Sequence, residues 1–305
     1  MVAVTGPTGS GKSELALVLA AAFAGEIVNC DSLQVFRHFD IGTAKLPVAE
    51  RRNVPHHLID VLDPDQLFTA GDYVRAARRT LDEIAARGRL AIVAGGTGFY
   101  LRALVDGLFR GPERDPALRV RLAAREARRA GSLHRILTRL DAETAGRIHP
   151  HDVPKAMRAL EIRLLARCPA SQLFRQGRDG LTGYRILKLG LLPDRDALNR
   201  RLDERTEKMF AGGLVEEVEG ILKLGFPATA KPFESHGYKQ ALQLLRGELN
   251  SREAVFHAQR NTRQYAKRQL TWFRKEPNLV WLQGFGDAAE IQKEALEKVR
   301  AFLGL

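Results

Sequence analysis

A phosphate-binding loop is the most specific chemical feature of the sequence. Residues 6–13 read Gly-Pro-Thr-Gly-Ser-Gly-Lys-Ser and match the pattern G-x-x-x-x-G-K-[ST] at every fixed position. Glycines in such a loop let successive backbone N–H groups converge on phosphate oxygens, and the dipole of the following helix adds to the attraction. Lys12 supplies positive charge for a terminal phosphate, and the hydroxyl of Ser13 is a ligand for Mg²⁺. The motif indicates a bound diphosphate or triphosphate and is compatible with several reactions. All eight of its residues are predicted to bind the phosphate groups of that ligand: Gly6, Pro7, Thr8, Gly9, Ser10, Gly11, Lys12 and Ser13.

Two other polar segments follow apolar runs of strand type. Asp31 comes just after residues 27–29, and the pair Gly95-Gly96 comes just after residues 90–94. In a parallel sheet, ligands bind beyond the carboxyl ends of the strands. We therefore expect the segments near Gly6, Asp31 and Gly95 to form the floor of one site. The stretch Asp31-Ser32-Leu33-Gln34 is more typical of a substrate-reading loop than of the acidic strand end that holds Mg²⁺ in an NTPase.

The elements that must position these residues alternate between strands and helices. Apolar, strand-type runs occupy residues 1–5, 27–29, 90–94, 184–192 and 279–282. Helical patterns cover residues 13–23, 70–87 with Thr69 as the N-cap, 195–224 and 251–273. This order predicts an α/β fold: a parallel sheet like that of the P-loop NTPases, with helices on both faces.

A helical insertion is expected within that α/β core. From about residue 111 the sequence becomes rich in Arg, Ala and Leu and shows no strand pattern until residue 184. We therefore predict a core of residues 1–110 and 183–305, interrupted by a helical insertion at residues 111–182.

Composition excludes several classes of protein. The chain has 305 residues, and 45% hydrophobic with 28% charged residues is ordinary for a globular protein. Cys30 and Cys168 are the only cysteines, so neither a disulfide framework nor a cysteine-rich zinc site is expected. No apolar run approaches the roughly 18 residues that span a membrane, and no signal peptide is recognisable. A cytoplasmic protein is expected.

The net charge of +12 comes from two segments. Residues 111–170 hold 13 basic and 7 acidic residues, and residues 254–275 hold 6 basic residues and no acidic one. The rest of the chain is balanced, with 29 of each sign. This distribution indicates a polyanionic partner bound at two places, although solvated helix faces in an Arg-rich protein give the same count.

A further series of motifs resembles the tRNA dimethylallyltransferases, also called tRNA isopentenyltransferases or IPP transferases. The matching segments occur in the family's order and reach from residue 6 to about residue 275. After the phosphate-binding loop they are residues 31–36 (DSLQVF), 40–45 (DIGTAK), 55–60 (PHHLID), 95–97 (GGT), 158–161 (RALE), 237–239 (GYK) and 267–274 (KRQLTWFR).

The resemblance implies a reaction and its substrates. A dimethylallyl group moves from dimethylallyl diphosphate to N6 of the adenosine immediately 3′ of the anticodon (tRNA position 37), in tRNAs that read codons beginning with U. The phosphate-binding loop then holds the prenyl diphosphate with Mg²⁺, Ser13 being the metal ligand. The implied partner is the anticodon stem-loop of tRNA. Neither a membrane nor a protein partner is implied, and a monomer suffices.

The resemblance also assigns roles to individual residues. The departing diphosphate needs donors held in place, and the family pattern supplies Lys12 and Arg205. The amine of adenine is a poor nucleophile, and Asp31 matches the family's general base, with Thr97 orienting the amine. Without the resemblance, the alternatives are that Asp31 caps a helix, that Thr97 forms a turn and that Arg205 pairs with Asp203 or Glu207 on its own helix.

RNA contacts complete the implied site. A base inside the anticodon loop must turn outwards to be modified, which requires a grip on the backbone to either side. Arg260, Arg263, Lys267 and Arg274 have helical spacings of three, four and seven, and we call them the basic stripe. Some of the nearby aromatic residues Tyr265, Trp272 and Phe273 are more typical of a core than of base stacking. The residues matched to tRNA contacts are Asp31, Ser32, Leu33, Gln34, Thr97, Arg119, Lys155, Arg158, Gly237, Tyr238, Lys239, Lys267, Arg268, Gln269, Trp272 and Arg274.

Two other functions remain possible from the sequence. A P-loop kinase for a small molecule or nucleotide, with Asp31 as its base, explains residues 6–13 equally well but leaves residues 254–275 unexplained. A non-catalytic RNA-binding module explains the charge, but the intact Lys12-Ser13 pair argues against it.

Overall fold

Six parallel strands form the single sheet of the protein. The computed structural model describes all 305 residues. The strands lie in the order β3-β2-β4-β1-β5-β6, and every neighbouring pair is parallel. Their bounds are β1 (Val2–Thr5), β2 (Gly25–Asn29), β3 (His56–His57), β4 (Leu90–Gly95), β5 (Leu187–Leu191) and β6 (Leu279–Leu282). The prediction of a parallel α/β sheet is confirmed.

Eight helices lie outside the helical insertion. They are α1 (Lys12–Ala22), α2 (Ala70–Ala86), α3 (Gly98–Asp106), α9 (Arg195–Ala211), α10 (Leu214–Lys223), α11 (Tyr238–Leu245), α12 (Ser251–Phe273) and α13 (Ala289–Leu303). Short 3₁₀ turns cover Val48–Glu50 and Lys231–Glu234. Helices α4 to α8 lie in the insertion and are described below. No helix in the structure has both the length and the apolar character needed to cross a membrane.

The core of the sheet explains why these short apolar runs become strands. Val2 and Val4 of β1 join Leu189 of β5 and Ile92 of β4 in one cluster with α1 and α13. The alternate residue Ala3 is also buried, so both faces of the sheet are covered. Because successive side chains of a strand point to opposite faces, a continuous apolar run is what such a strand requires.

The predicted helix at residues 195–224 is two helices. The first ends at Ala211 and the second begins at Leu214. Gly213 between them has a φ of +99°, a conformation that glycine adopts without strain. The other three predicted helices agree with the structure to within two residues, and Thr69 caps α2 through a reciprocal hydrogen-bonded capping box with Asp72.

Residues 105–181 form a second compact unit, and residues 1–104 with 182–305 form the first. The second unit is helical and begins at Val105, whereas the sequence predicts its start at Gly111. Its main helices α4 (Pro116–Arg128), α5 (Ser132–Leu140) and α7 (Val153–Leu165) surround a small core that includes Leu133, Leu137 and Leu160. Two shorter helices, α6 (Ala142–Gly146) and α8 (Ala170–Arg175), complete it. The backbone N–H of Leu181 donates to the carbonyl of Val105 at 2.9 Å, so the two ends of this unit are adjacent.

Candidate active site

The phosphate-binding loop connects β1 to the start of α1. Gly9 and Gly11 have φ values of +78° and +84°, which L side chains rarely adopt, so the loop depends on glycine at both positions. Gly11 is the N-cap of α1 and provides no side chain to accept from the first turn. The N–H groups of that turn therefore have no side-chain cap, as expected at a helix end that binds an anion.

Lys12 points back over this loop. Its Nζ donates to the carbonyl of Pro7 at 2.8 Å. Burial lowers the pKa of Lys12 to about 8, opposed by the charge of Asp31 and assisted by that of Arg205. The ammonium group is thus poorly solvated in the free protein, and an anion bound at the loop would favour its charged form.

Arg205 reaches the same loop from α9. Its Nη2 donates to Oγ1 of Thr8 at 2.7 Å, while its buried Nε has no partner. Burial lowers the pKa of Arg205 to about 10. The two carboxylates that could have paired with it have other partners: Asp203 binds Arg263, and Glu207 accepts from Gln259. Arg205 is therefore directed at the phosphate-binding loop rather than along its own helix.

Asp31 follows β2 and lies beside the loop that carries Thr97. Oδ1 of Asp31 accepts from the backbone N–H of Leu33 at 2.9 Å, which fixes the turn that follows. The next residue, Ser32, donates its backbone N–H to Oγ1 of Thr97 at 3.0 Å. Asp31 does cap a turn, but only one of its carboxylate oxygens is used for this.

Two cavities meet at these residues. One, of about 200 Å³, is lined by Lys12, Ser13 and other residues of the phosphate-binding loop. The other, of about 70 Å³, is lined by Met209, Phe210 and Tyr265 among others. Thr8, Asp31, Thr43 and Arg205 line both cavities. The site can thus hold a diphosphate in the larger of these two cavities and an apolar or aromatic group in the smaller one, with Asp31 bordering both.

Helix α12 presents two opposite faces. Tyr265, Gln269 and Trp272 are four and three residues apart, so they share one face. This face borders the site: Gln269 bonds Thr8 and Gly96, and Tyr265 lines the smaller cavity. Tyr265 was not predicted as a site residue, although its spacing from Gln269 and Trp272 is a signal that could have indicated it.

The basic stripe lies on the other face of α12. Together with residues of α9 and the segments after β5 and β6, its four members line a groove of about 770 Å³, here called the α12 groove. Arg263 is paired with Asp203, whereas the exposed residues Arg260, Lys267 and Arg274 form no ion pair. Neither Asp31 nor Thr97 lines this groove. Of the cations predicted in residues 267–274, Arg268 is on the catalytic side, with its guanidinium 5.8 Å from the centre of the Tyr265 ring.

Several side chains that were predicted to contact RNA instead contact other residues of the protein. The Tyr238 side chain is fully buried, and its hydroxyl donates to Glu217 and accepts from the N–H of Gly42 at 3.0 Å. Trp272 is half-buried and packs on Gly98, where an added Cβ would come within 2.2 Å of the indole. Gln34 donates to the carbonyl of Thr43 at 3.2 Å. These side chains shape the loops around the cavities, while Lys239 and Arg268 remain exposed.

In the insertion, Arg119 and Arg158 share one carboxylate. Glu161 is fully buried, and it accepts from Nε of Arg119 at 3.0 Å and from Nη1 of Arg158 at 2.6 Å. Lys155 pairs with Asp152 at 2.5 Å on the surface. Arg119 and Arg158 thus stabilise the insertion in addition to any role in binding.

The protein itself offers few side chains that could bind a metal ion at this site. No cluster of three or more His, Cys, Asp or Glu side chains is arranged to hold a metal ion. Ser13, in the first turn of α1, is exposed towards the larger cavity. This donor set suits Mg²⁺, which in phosphate sites keeps several waters and takes its other ligands from the substrate.

Comparison with known proteins identifies the family. The family model described as IPP transferase matches residues 34–276. A tRNA dimethylallyltransferase of Solibacter usitatus is 69% identical over 304 residues, which cover 100% of this chain and 99% of that protein. A second such enzyme, from Koribacter versatilis, is 54% identical over 296 residues, covering 97% of this chain and 96% of that protein.

Comparison with solved structures points to the same family as comparison of the sequences. A tRNA isopentenylpyrophosphate transferase from Bacillus halodurans superposes with a TM-score of 0.72 at 34% identity, covering 99% of this chain and 95% of that one. A eukaryotic dimethylallyltransferase acting on tRNA gives a TM-score of 0.86 at 26% identity, covering 100% of this chain and 78% of that one. The chain therefore belongs to the IPP transferase family, the family of the tRNA dimethylallyltransferases.

Proposed function

We propose that the protein transfers a dimethylallyl group from dimethylallyl diphosphate to N6 of adenosine 37 of tRNA, in tRNAs that read codons beginning with U. One observation carries the proposal. Asp31 lines both the cavity of the phosphate-binding loop and the smaller cavity beside it. The family to which the chain belongs supports this reaction and not the kinase alternative.

The reaction exchanges one bond for another at C1 of the donor. The bond from C1 to the diphosphate oxygen breaks, and its electron pair leaves with the diphosphate. A bond forms between C1 and N6 of adenine, and the amine loses one proton. The protein must therefore stabilise negative charge on the leaving group and accept a proton from the nucleophile.

On the donor side, Lys12, Arg205 and the N–H groups of the loop stabilise the leaving diphosphate. Both side chains are half-buried cations, and desolvation lowers the pKa of each. Interactions with charge are stronger in such a site than in water. Because the Arg205–Thr8 bond holds the guanidinium at the loop before the donor binds, little reorganisation is needed during the reaction.

On the acceptor side, Asp31 accepts the proton and Thr97 orients the amine. The oxygen of Asp31 that does not bond Leu33 is available to the amine of adenine. Thr97 is tied to this segment because its Oγ1 accepts from the backbone N–H of Ser32, the residue after Asp31, at 3.0 Å. A base held at the nucleophile contributes about 10²–10⁴-fold to such reactions.

Mg²⁺ would be held by Ser13 together with the donor. The metal supplies further positive charge for the diphosphate when it is bound. Ser13 lines the same cavity as Lys12, which supports the proposal that both act on one diphosphate.

Binding of tRNA uses charge from both segments found in the sequence. Arg268 and Lys239 are exposed on the first unit, and the unpaired cations Arg260, Lys267 and Arg274 line the α12 groove. We assign the groove to the RNA backbone because three cations on one helix face, spread over about 21 Å, match a chain of phosphates better than a small anion. Arg119, Lys155 and Arg158 are the contributions proposed from the insertion.

The test is incubation of the protein with unmodified tRNA, dimethylallyl diphosphate and Mg²⁺, followed by nucleoside mass spectrometry. We expect N6-dimethylallyladenosine in tRNAs that read codons beginning with U and none in a tRNA whose residue 37 is guanosine. Phosphorylation of a small molecule by ATP, without this product, would instead establish the kinase. We also propose a cytoplasmic location, which the free thiols Cys30 and Cys168 support because such thiols are usual there.

A further inference from the structure

Gln269 is bonded to two loops of the catalytic site. It is 6% exposed and lies on the face of α12 that borders the site. Its Oε1 accepts from the backbone N–H of Thr8 at 2.8 Å, and its Nε2 donates to the carbonyl of Gly96 at 2.8 Å. Its acceptor oxygen and its amide nitrogen are therefore both bonded to main chain.

The two loops belong to opposite halves of the reaction. Thr8 lies in the phosphate-binding loop after β1, and Gly96 lies in the loop after β4, next to Thr97. On the donor side Thr8 is also held by Arg205. On the acceptor side the Gln269 amide packs directly against Gly96, because a Cβ on Gly96 would come within 2.3 Å of Nε2 of Gln269. Gln269 thus connects the residues around the leaving group to those around the nucleophile.

We propose that Gln269 is a positioning residue that fixes the separation between the diphosphate loop and the Thr97 loop, and that it is not an RNA contact. The inference rests on the proposed function, in which C1 of the donor must lie in line with N6 of adenine. A displacement of about 1 Å costs about 100-fold in rate in such reactions. The amide suits this role because it offers one acceptor and one donor on a short, buried side chain.

This assignment separates Gln269 from its neighbours in the motif at residues 267–274. Arg268 is exposed beside Tyr265, and Lys267 lines the α12 groove. These two cations can contact RNA without disturbing the loops. A replacement of Gln269 should therefore change kcat, whereas a replacement of an RNA contact should change the KM for tRNA.

The experiment compares Gln269→Met, Gln269→Glu and the matched control Gln259→Met. Gln259 lies on the same helix, and its amide donates to Glu207 at 2.9 Å on the protein surface and to neither loop. We expect kcat to fall about 100-fold in Gln269→Met, with the KM for tRNA changed less than threefold, and Gln259→Met to resemble the wild type.

The variant Gln269→Glu is expected to make kcat depend on pH in a way that tests the bond to Gly96. One oxygen of the glutamate carboxylate can still accept from the N–H of Thr8. The other oxygen faces the carbonyl of Gly96 and has no proton to donate, so that hydrogen bond is lost. Burial beside that carbonyl raises the pKa of such a carboxyl group, and protonation restores the donor. We expect the ratio of kcat in this variant to kcat in the wild type to rise several-fold as the pH is lowered from 8 to 6. This variant remains informative if Gln269→Met fails to fold.

Hydrogen exchange of the Thr8 amide gives a readout that does not need activity. We expect exchange about tenfold faster in Gln269→Met than in either the wild type or Gln259→Met, because the bond from Thr8 to Gln269 is absent from that variant. A higher KM for tRNA with unchanged kcat would overturn the proposal, as would unchanged exchange at Thr8. If the wild type makes no dimethylallyladenosine, the proposed function fails, while the exchange data still decide whether Gln269 holds the loop.

Discussion

The guanidinium of Arg205 donates to the side-chain oxygen of Thr8 at 2.7 Å, joining two residues that are 197 positions apart in the chain. This bond brings a cation from α9 to the phosphate-binding loop. It also leaves Nε of Arg205 buried without a partner. An unsatisfied buried donor is costly, and a bound anion would relieve that cost.

Arg205→Gln is expected to lower kcat by about 100- to 1,000-fold, because it removes a charged donor from the leaving group. Single-turnover transfer from dimethylallyl diphosphate measures the effect. Arg200→Gln, which removes an exposed charge from the same helix, serves as the control and should retain its rate. Equal rates in the two variants would place Arg205 outside the reaction.

Asp31→Asn is expected to lower kcat by about 10²–10⁴-fold while the affinity for tRNA stays nearly unchanged. Asparagine keeps an oxygen that can accept from Leu33, so the turn after Asp31 is preserved. Transfer rates and equilibrium binding of tRNA separate the two effects. A large loss of affinity would show that Asp31 binds RNA rather than acting as the base.

The KM for dimethylallyl diphosphate is expected to rise above about pH 8. Burial lowers the pKa of Lys12 to about 8 in the free protein, so its positive charge is lost as the pH rises through that value. Binding of the diphosphate favours the charged form and must then be accompanied by proton uptake. Steady-state kinetics between pH 7 and pH 9.5 test this. In Lys12→Met this rise should disappear, and a profile unchanged by that substitution would contradict the assignment.

Replacing both Lys267 and Arg274 with glutamine is expected to reduce the salt dependence of tRNA binding. Each phosphate that the protein no longer neutralises reduces the steepness of log K against log salt by about 0.7–0.9. The control replaces Lys293 and Arg300, two exposed cations of α13, and removes the same total charge. If both double variants reduce the steepness equally, the α12 groove does not bind the RNA backbone.

Glu161→Gln is expected to destabilise the insertion by about 3–5 kcal/mol, because it removes the carboxylate that Arg119 and Arg158 share. Limited proteolysis of the full chain should then cut first within residues 105–181. Glu143→Gln is the control, since Glu143 is a half-exposed carboxylate that also pairs with two arginines, Arg147 and Arg175. Equal protease resistance in the two variants would argue against a structural role for the buried pair.

Local signals predicted much of the fold. The helix at Ser251–Phe273 begins after a capping box formed by Asn250 and Glu253, and the strand at Leu279–Leu282 has the predicted bounds. The break at Gly213 was missed because the apolar pattern continues on both sides of it. The two-residue strand His56–His57 was also missed, since pairing with β2 rather than composition makes it a strand.

The candidate site was predictable in part. The phosphate-binding loop, Asp31 and Thr97 follow neighbouring strands, so the topology of a parallel sheet brings them together. Which face of α12 borders the site depends on tertiary packing, whereas the family resemblance placed Lys267, Gln269 and Trp272 in one group of tRNA contacts. The burial of Tyr238 has the same explanation, because its partner Glu217 lies on a different helix.

The hydrogen bond between Leu181 and Val105 has a consequence for protein engineering and for evolution. Because the helical unit enters and leaves at nearly the same point, it can be removed, exchanged or enlarged with a linker of only a few residues. The parallel sheet would keep its strand order and register through such an exchange. Under the proposed function, in which the insertion contacts tRNA, a graft at this position would change the RNA contacts and leave the phosphate-binding loop and Asp31 in place.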